Sequence, residues 1–317
     1  MVRSRLVAAS SVGGIEWGTD DTDRSGSPVS VRKAVILAAG YGTRMLPATK
    51  ALPKETLPLV DKPVIQYTVE EAVASGLDLV IIVTSAGKRA VEDHFDRSFE
   101  LEQALLARGE HERLAEIRRI SELAHIAYVR QQEQRGIGDA ILTARPLVGD
   151  EPFVLFFPDD VFVSDVPVAR QLIDAFEAYG GPMLTMLEVP PEEVASYGIA
   201  EADPVGERVY RVRSLVEKPK PEEAPSNLAI VGRYVLTPAI FDVLAETPPG
   251  KGGEIQITDG LALLLRRQPV FAYRFQGRRY DTGRPLGLLK ASVELALQRP
   301  DMGPELRRYL RGLDLSD

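Results

Sequence analysis

The chain has 317 residues, 44% of them hydrophobic, and its formal net charge is −8. This length allows one large domain or two smaller ones, each with a substantial core. Nucleic-acid-binding proteins usually carry a basic surplus, so the acidic balance argues against a nucleic-acid partner. The absence of cysteine excludes disulfides, thiolate metal sites and a thiol nucleophile, and it fits a cytoplasmic location. No apolar segment has the length of a membrane span, so we expect no membrane partner.

Residues 1–30 differ in composition from the rest of the chain. They are rich in Ser, Gly and Asp, and their apolar run Leu6 to Ala9 is too short for the core of a signal peptide. We therefore interpret residues 1–30 as a disordered N-terminal extension or a misplaced start. Ordered structure is expected from residue 31 onward.

Strands and helices are predicted to alternate in the first half of the chain. The apolar run Ala34 to Ala39 is typical of a parallel strand covered on both faces. A loop rich in Gly and Pro follows, and Pro63 begins an amphipathic helix that ends near Gly76. Further strands are predicted at 79–84, 126–130 and 153–157, and helical segments at 91–123, from 138 and at 168–179. Strand, helix and strand in this order indicate a βαβ unit.

The second half has a more mixed pattern. Strands are predicted at 183–189, near 199, and at 209–217, 228–236 and 270–274; helices are predicted at 238–245, 258–267 and 285–298. We therefore expect an α/β fold, a doubly wound and mostly parallel Rossmann-like sheet with β-rich insertions and C-terminal helices.

Two glycines, Gly40 and Gly42, directly follow the first predicted strand. Without side chains they allow backbone N–H groups to approach a base or a phosphate closely. A dinucleotide-binding fingerprint requires a third glycine where this chain has Met45, and a Walker loop requires a Gly-Lys-Ser/Thr ending that is missing. By themselves, two glycines are more typical of a plain turn between a strand and a loop.

Three cations in the same loop favour phosphate binding over a plain turn. Arg44, Lys50 and Lys54 alternate with Pro47 and Pro53, which stiffen the backbone that carries them. Arg44 can bind a triphosphate through two parallel hydrogen bonds, and Lys54 can contact the phosphates as a point charge.

This loop resembles the signature of the sugar-phosphate nucleotidyltransferases, through the runs Ala38-Ala-Gly-Tyr-Gly-Thr-Arg-Met-Leu-Pro-Ala-Thr-Lys50 and Pro53-Lys-Glu-Thr-Leu-Pro-Leu-Val-Asp-Lys-Pro63. Two further segments, 94–102 and 225–234, are similar to those of bacterial UTP–glucose-1-phosphate uridylyltransferases. The resemblance covers residues 31 to about 311. It implies one domain, 31–317, with a nucleotide-binding half at about 31–165 and a sugar-phosphate-binding and C-terminal half at about 166–317.

The family resemblance implies a substrate pair, a cofactor and an assembly. The substrates are UTP and glucose 1-phosphate, the products UDP-glucose and pyrophosphate, and the cofactor Mg²⁺. A homodimer or homotetramer is expected, with 285–298 and 306–315 as the candidate contacts. For the nucleotide, the resemblance implies contacts from Ala38, Ala39, Gly40, Gly42, Thr43, Gln131 and Gly138. A Gln amide can pair with the edge of uracil, although such a residue is by default an ordinary surface residue.

Two aspartates are the candidate metal ligands. Asp159 follows the strand predicted at 153–157, at the edge where open α/β sheets bind ligands. A carboxylate there can hold Mg²⁺ or cap a turn, and the residues alone leave both open. The resemblance assigns Asp159 and Asp281, the latter within Tyr280-Asp-Thr-Gly283, to the metal.

The predicted sugar-phosphate site comes from the second half. By composition, Val216-Glu-Lys-Pro-Lys220 is a solvated charged turn. The resemblance instead assigns Glu217 to sugar hydroxyls and Lys218 to the sugar phosphate, with Tyr197, Gly198 and Gly232 beside them.

The predicted chemistry requires no protein nucleophile. The chain has no Gly-x-Ser-x-Gly elbow, and its three histidines lie away from every proposed site. A sugar 1-phosphate is already anionic, so we expect direct in-line displacement of pyrophosphate, with Arg44, Lys54 and Lys218 as the catalytic cations.

Three alternatives are weighed against this interpretation. A thymidylyltransferase that uses dTTP would meet the same hydrogen-bonding edge of the pyrimidine. A non-catalytic sugar-nucleotide-binding protein would share the fold, but the charged positions required for catalysis are all filled. A dehydrogenase is disfavoured by Met45.

Overall fold

The computed structural model describes residues 30–314, so the extension predicted at 1–30 lies outside the described residues apart from Ser30. The strands are β1 Lys33–Leu37, β2 Pro58–Leu59, β3 Lys62–Pro63, β4 Leu79–Thr84, β5 His125–Arg130, β6 Phe153–Phe156, β7 Asp160–Val163, β8 Met183–Glu188, β9 Gly198–Pro204, β10 Val209–Glu217, β11 Leu228–Leu236, β12 Phe271–Arg274 and β13 Arg278–Asp281. The helices are α1 Val64–Ala74, α2 Arg89–Phe95, α3 Phe99–Ala107, α4 His111–Ser121, α5 Ile137–Val148, α6 Val168–Tyr179, α7 Ala239–Glu246, α8 Ile257–Leu264, α9 Pro285–Gln298 and α10 Gly303–Arg311.

A nine-stranded sheet is the centre of this part of the chain, in the order β5-β4-β1-β6-β11-β8-β12-β10-β9. The strands β5, β4, β1 and β6 pair in parallel, as their continuous apolar runs predict. However, β11 runs antiparallel to both β6 and β8. The expected mostly parallel pairing therefore holds for the N-terminal half, and the sheet becomes mixed where β11 enters.

Helices cover both faces of the sheet, which confirms the predicted doubly wound α/β architecture. Side chains alternate along β1, so Val35 and Leu37 join the core cluster under α5, α7 and α8, whereas Ala34 and Ile36 join the cluster under α1, α2 and α6. Each fully buried Ile, Leu or Phe in these clusters stabilises the fold by roughly 1.5–3 kcal/mol.

Most of the predicted elements are present with small changes at their ends. The ranges 168–179, 209–217, 228–236 and 285–298 coincide with α6, β10, β11 and α9. The short strands β7 and β13 were not predicted. They form an antiparallel pair outside the main sheet, in which Asp281 lies opposite Asp160. Within residues 30–314, no helix combines the length and apolar character needed to cross a membrane.

Candidate active site

Two adjoining cavities lie beyond the carboxyl ends of β1 and β6. The glycine-loop cavity, of about 490 Å³, is bordered by the loop after β1 and by the segment after β5. The β10 cavity, of about 550 Å³, is bordered by the ends of β10 and β13 and by the start of α8. Arg44, Phe157 and Asp159 line both cavities. A ligand that extends from one cavity into the other would therefore pass Arg44 and Asp159.

Most of the residues predicted to bind the nucleotide line the glycine-loop cavity, namely Ala39, Gly40, Gly42, Thr43, Arg44, Lys54 and Gln131. Gly42 has a φ of +67°, and a Cβ there would lie 3.0 Å from the Cβ of Lys54. Glycine is thus required both for the left-handed backbone and for close packing of the loop against Lys54.

Two residues predicted to contact the nucleotide, Ala38 and Gly138, do not line this cavity. Ala38 is fully buried, and its amide donates to the carbonyl of Val83. Gly138 packs against Ile255, where a Cβ would lie 2.5 Å from Cγ2, and its amide donates to the Ile255 carbonyl. Gly136, with a φ of +102°, lines the cavity instead. Gly136 therefore borders the cavity and Gly138 does not, although a Cβ at either glycine would meet Ile255.

Lys54 and Asp159 form an ion pair where the cavities meet, with Nζ 2.7 Å from Oδ2. Burial lowers the pKa of Lys54, but the Asp159 and Glu55 carboxylates offset this and leave it raised. Burial raises the pKa of Asp159, but the Lys54 ammonium outweighs this and leaves it lowered. Both groups are therefore charged at neutral pH.

A buried ion pair holds the segment that carries Lys54. Glu55 and Lys88 are 1% and 6% exposed, and Lys88 Nζ lies 2.7 Å from Glu55 Oε2. Removing one partner would leave an uncompensated buried charge, which destabilises a protein by about 3–5 kcal/mol. The pair therefore anchors the segment that carries Lys54 to the start of α2.

Asp159 and Asp281 meet at Gly283. A Cβ on Gly283 would lie 2.8 Å from Asp159 Oδ2 and 3.2 Å from Asp281 Oδ1, so glycine keeps the space between the two carboxylates free. Within residues 30–314, no group of three or more His, Cys, Asp or Glu side chains could hold a metal ion. Mg²⁺ is commonly held by one or two carboxylates plus substrate phosphates and waters, so these two aspartates fit it.

Asp160, the neighbour of Asp159, binds Arg279, a residue that the sequence did not single out. Arg279 Nε donates to Asp160 Oδ1 over 2.7 Å, and Arg279 Nη1 donates to the Tyr197 hydroxyl over 3.3 Å. Burial raises the pKa of Asp160, and the Arg279 guanidinium opposes this. Asp160 thus holds a cation in the wall of the β10 cavity.

The predicted sugar-phosphate residues line the β10 cavity together, namely Tyr197, Gly198, Glu217, Lys218 and Gly232. Lys218 Nζ lies 2.8 Å from Glu217 Oε1, and the Thr258 hydroxyl donates to Glu217 Oε2 over 2.6 Å. Gly232 has a φ of +55°, and a Cβ there would lie 2.6 Å from the Phe162 ring. The cavity therefore presents an oriented carboxylate and an ammonium side by side.

Gln131 is 4% exposed and is fixed by two hydrogen bonds. Its amide nitrogen donates to the Gly136 carbonyl over 3.1 Å and to Asp139 Oδ2 over 2.8 Å. Sequence reasoning identified Gln131 but missed Asp139, for which no local motif signals such a contact.

Comparison with known proteins identifies the family. Residues 33–298 match the Nucleotidyl transferase family. The chain belongs to this family. A UTP–glucose-1-phosphate uridylyltransferase of Bacillus subtilis, YngB, is 51% identical over 280 residues, which cover 88% of this chain and 94% of the relative. A UTP–glucose-1-phosphate uridylyltransferase of Staphylococcus epidermidis is 48% identical over 285 residues, 90% of this chain and 99% of the relative.

Solved structures of the family are similar over the same range. A UDP-glucose pyrophosphorylase complexed with UDP-glucose aligns with a TM-score of 0.78 at 45% identity, over 85% of this chain and 100% of that one. A UTP-bound UGPase from Acinetobacter baumannii aligns with a TM-score of 0.84 at 37% identity, over 90% of this chain and 100% of that one. The predicted family and fold are confirmed, and nucleotidyltransferases of this family generally use a divalent metal ion.

Proposed function

We propose that this chain catalyses the reaction of UTP with glucose 1-phosphate to give UDP-glucose and pyrophosphate. One observation carries the proposal: the glycine-loop cavity and the β10 cavity meet at Asp159 and Arg44, so two polyanionic substrates can lie end to end there. The relatives named for this reaction, which match about nine tenths of the chain, support it.

UTP is assigned to the glycine-loop cavity. Its uracil lies against Gln131 and Gly136, where an amide and a bare backbone meet the ring. Its phosphates lie along the backbone amides of 40–43, where glycine permits close approach. Arg44 and Lys54 provide the positive charge on this side.

Glucose 1-phosphate is assigned to the β10 cavity. Glu217 accepts hydrogen bonds from sugar hydroxyls, and Lys218 binds the phosphate that follows them. Lys218 Nζ lies 2.8 Å from Glu217 Oε1, so a single sugar phosphate can contact both the hydroxyl acceptor and the phosphate-binding cation.

The reaction is a direct displacement at the α-phosphorus of UTP. A phosphate oxygen of glucose 1-phosphate forms a bond to that phosphorus, and the bond from the α-phosphorus to the oxygen bridging to the β-phosphate breaks. Pyrophosphate leaves with the electron pair. The nucleophile is already anionic, so no general base is needed; Lys218 aligns it, and Arg44 and Lys54 stabilise charge on the departing pyrophosphate.

Mg²⁺ is the proposed cofactor, held by Asp159 and Asp281. The carboxylate oxygens and the space that Gly283 keeps between them suit a small, hard cation. When bound, the ion supplies charge neutralisation to the phosphates of both substrates.

A homodimer or homotetramer is the proposed assembly, and we place a contact at α9. Leu289 of this helix is 61% exposed and lines an apolar pocket together with Leu46, which is 55% exposed. Replacing Leu289 by Arg is expected to lower the mass measured by light scattering. An unchanged mass would exclude this face as a contact.

Pyrophosphate release tests the function directly. The enzyme is incubated with UTP, dTTP, CTP or ATP, each with glucose 1-phosphate or another sugar 1-phosphate, with and without Mg²⁺. We expect the fastest release for UTP with glucose 1-phosphate and dependence on Mg²⁺. Faster release with dTTP would identify a thymidylyltransferase. Binding of UDP-glucose without any pyrophosphate release would indicate a non-catalytic binding protein.

A further inference from the structure

The amide of Gln131 is held in a single orientation. Its nitrogen donates to the Gly136 carbonyl and to Asp139 Oδ2, and these two bonds use both amide hydrogens. Among residues 30–314, no donor is bonded to the Gln131 oxygen, and Gln131 lines the glycine-loop cavity. The oxygen is therefore the group that this side chain can offer to a base.

Asp139 is the side chain that enforces this orientation. A carboxylate only accepts hydrogen bonds, so it binds the amide nitrogen of Gln131 and repels the amide oxygen. Arg135 Nη2 lies 2.9 Å from the other oxygen of Asp139, and Asp139 lies in the first turn of α5, where the helix dipole stabilises negative charge. Asp139 is only 7% exposed, so little water can compete with its carboxylate for the Gln131 amide.

We propose that Asp139 is a positioning residue that makes the base site select pyrimidines with a donor at N3. Uracil carries N3–H and can donate to the Gln131 oxygen. Cytosine has a lone pair at N3, which faces the same oxygen and is repelled. Thymine has the same hydrogen-bonding edge as uracil, so this contact discriminates UTP from CTP but not UTP from dTTP. The inference rests on the proposed placement of uracil at Gln131.

The isosteric variant Asp139→Asn tests the inference. Asparagine can turn its amide nitrogen towards Gln131, which removes one of the two acceptors that hold the Gln131 nitrogen. The Gln131 amide can then flip, with loss of its hydrogen bond to the Gly136 carbonyl, and offer its nitrogen to the base. We expect the ratio of kcat/KM for UTP to that for CTP to fall by about 10- to 100-fold, as when a buried hydrogen-bond partner is mismatched. Glu133→Gln is the matched control, because it removes an exposed carboxylate from the same loop. The control should leave the ratio unchanged.

A double-mutant cycle separates orientation of Gln131 from a general structural role. In a Gln131→Ala background, Asp139→Asn should have no further effect on the ratio, because no amide remains to be oriented. The same fall in both backgrounds, or no fall in either, would overturn the proposal. Equal use of UTP and CTP by the unmodified enzyme would also overturn it, whether or not the variants fold.

Gln131→Ala alone distinguishes this inference from the proposed function. If that variant uses both nucleotides as the unmodified enzyme does, the base does not lie at Gln131 and the proposed placement of UTP fails. If it loses UTP:CTP discrimination while Asp139→Asn keeps it, the placement stands and only the role of Asp139 is wrong.

Discussion

Lys54 Nζ lies 2.7 Å from Oδ2 of Asp159, so the cation assigned to UTP and a carboxylate assigned to the metal are direct neighbours. The space next to Gly283 borders the same carboxylate oxygen. The charges assigned to UTP and to the metal therefore lie together after the end of β6.

Gly283→Ala should weaken metal binding. The added Cβ would lie 2.8 Å from Asp159 Oδ2, inside the space assigned to the ion. We expect the Mg²⁺ concentration for half-maximal activity to rise about 10- to 100-fold, the range seen when the surroundings of metal ligands are disturbed. Titration of activity with Mg²⁺ measures this. Gly312→Ala is the control, because its Cβ would make only an ordinary 3.4 Å contact. If both variants gave the same Mg²⁺ titration, the metal would not bind in this space.

Lys218→Ala should impair use of the sugar phosphate. The variant loses a charge-assisted hydrogen bond to the phosphate, so we expect the KM for glucose 1-phosphate to rise about 10- to 100-fold. Affinity for UTP, measured by calorimetry, should change little. The control is Lys220→Ala, which removes a lysine that is 71% exposed in the same turn. Equal weakening of both substrates by Lys218→Ala would contradict the assigned role.

Thr258→Val should loosen Glu217. Thr258 is 2% exposed and donates over 2.6 Å to Glu217 Oε2, so valine keeps the shape and removes the hydroxyl. We expect the KM for glucose 1-phosphate to rise about 3- to 10-fold, as for one neutral donor lost. Steady-state kinetics at saturating UTP measure this rise. Thr258→Ser, which keeps the hydroxyl, should restore the KM; a serine variant as impaired as the valine variant would refute the hydrogen bond.

The Glu102 carboxyl, in the helical segment α2 to α4, is expected to make the stability of the protein depend on pH. Hydrogen bonds from Arg97 and Arg118 hold the pKa of this 2% exposed carboxyl at about 2, below its ordinary value of 4.5. Its stabilising contribution is therefore complete above pH 4.5 and disappears as the pH falls to 2.

Denaturant unfolding of the unmodified protein and of Glu102→Gln measures this contribution. The difference in the free energy of unfolding should be constant above about pH 5 and shrink towards pH 2. Glu100→Gln, an exposed position on α3, is the control and should leave the free energy of unfolding nearly unchanged. A difference for Glu102→Gln that does not vary with pH would contradict the predicted ion pairs.

The parts of the fold that were predicted correctly carry a local signal. The continuous apolar runs of β1, β4 and β6 indicated buried parallel strands, and Asp159 was located because it follows one of them. The direction of β11 was not predictable in this way. Its residues are buried along almost the whole strand, and such burial is the same for a parallel and an antiparallel neighbour.

The polar contacts that orient the site had no local signal. Thr258 and Glu217 are 41 positions apart, and Arg279 and Asp160 are 119 apart. Only the folded chain brings them together. Gly136 and Gly138 are two positions apart and both lie against Ile255, so the sequence alone does not indicate that Gly136 borders the cavity and Gly138 does not.

A crystal structure of the enzyme with UDP-glucose and Mg²⁺ tests the central claim most directly. We predict uracil at Gln131, glucose at Glu217, and the diphosphate between Lys218 and an ion bound by Asp159 and Asp281. A diphosphate far from Arg44, Asp159 and Lys218 would contradict it.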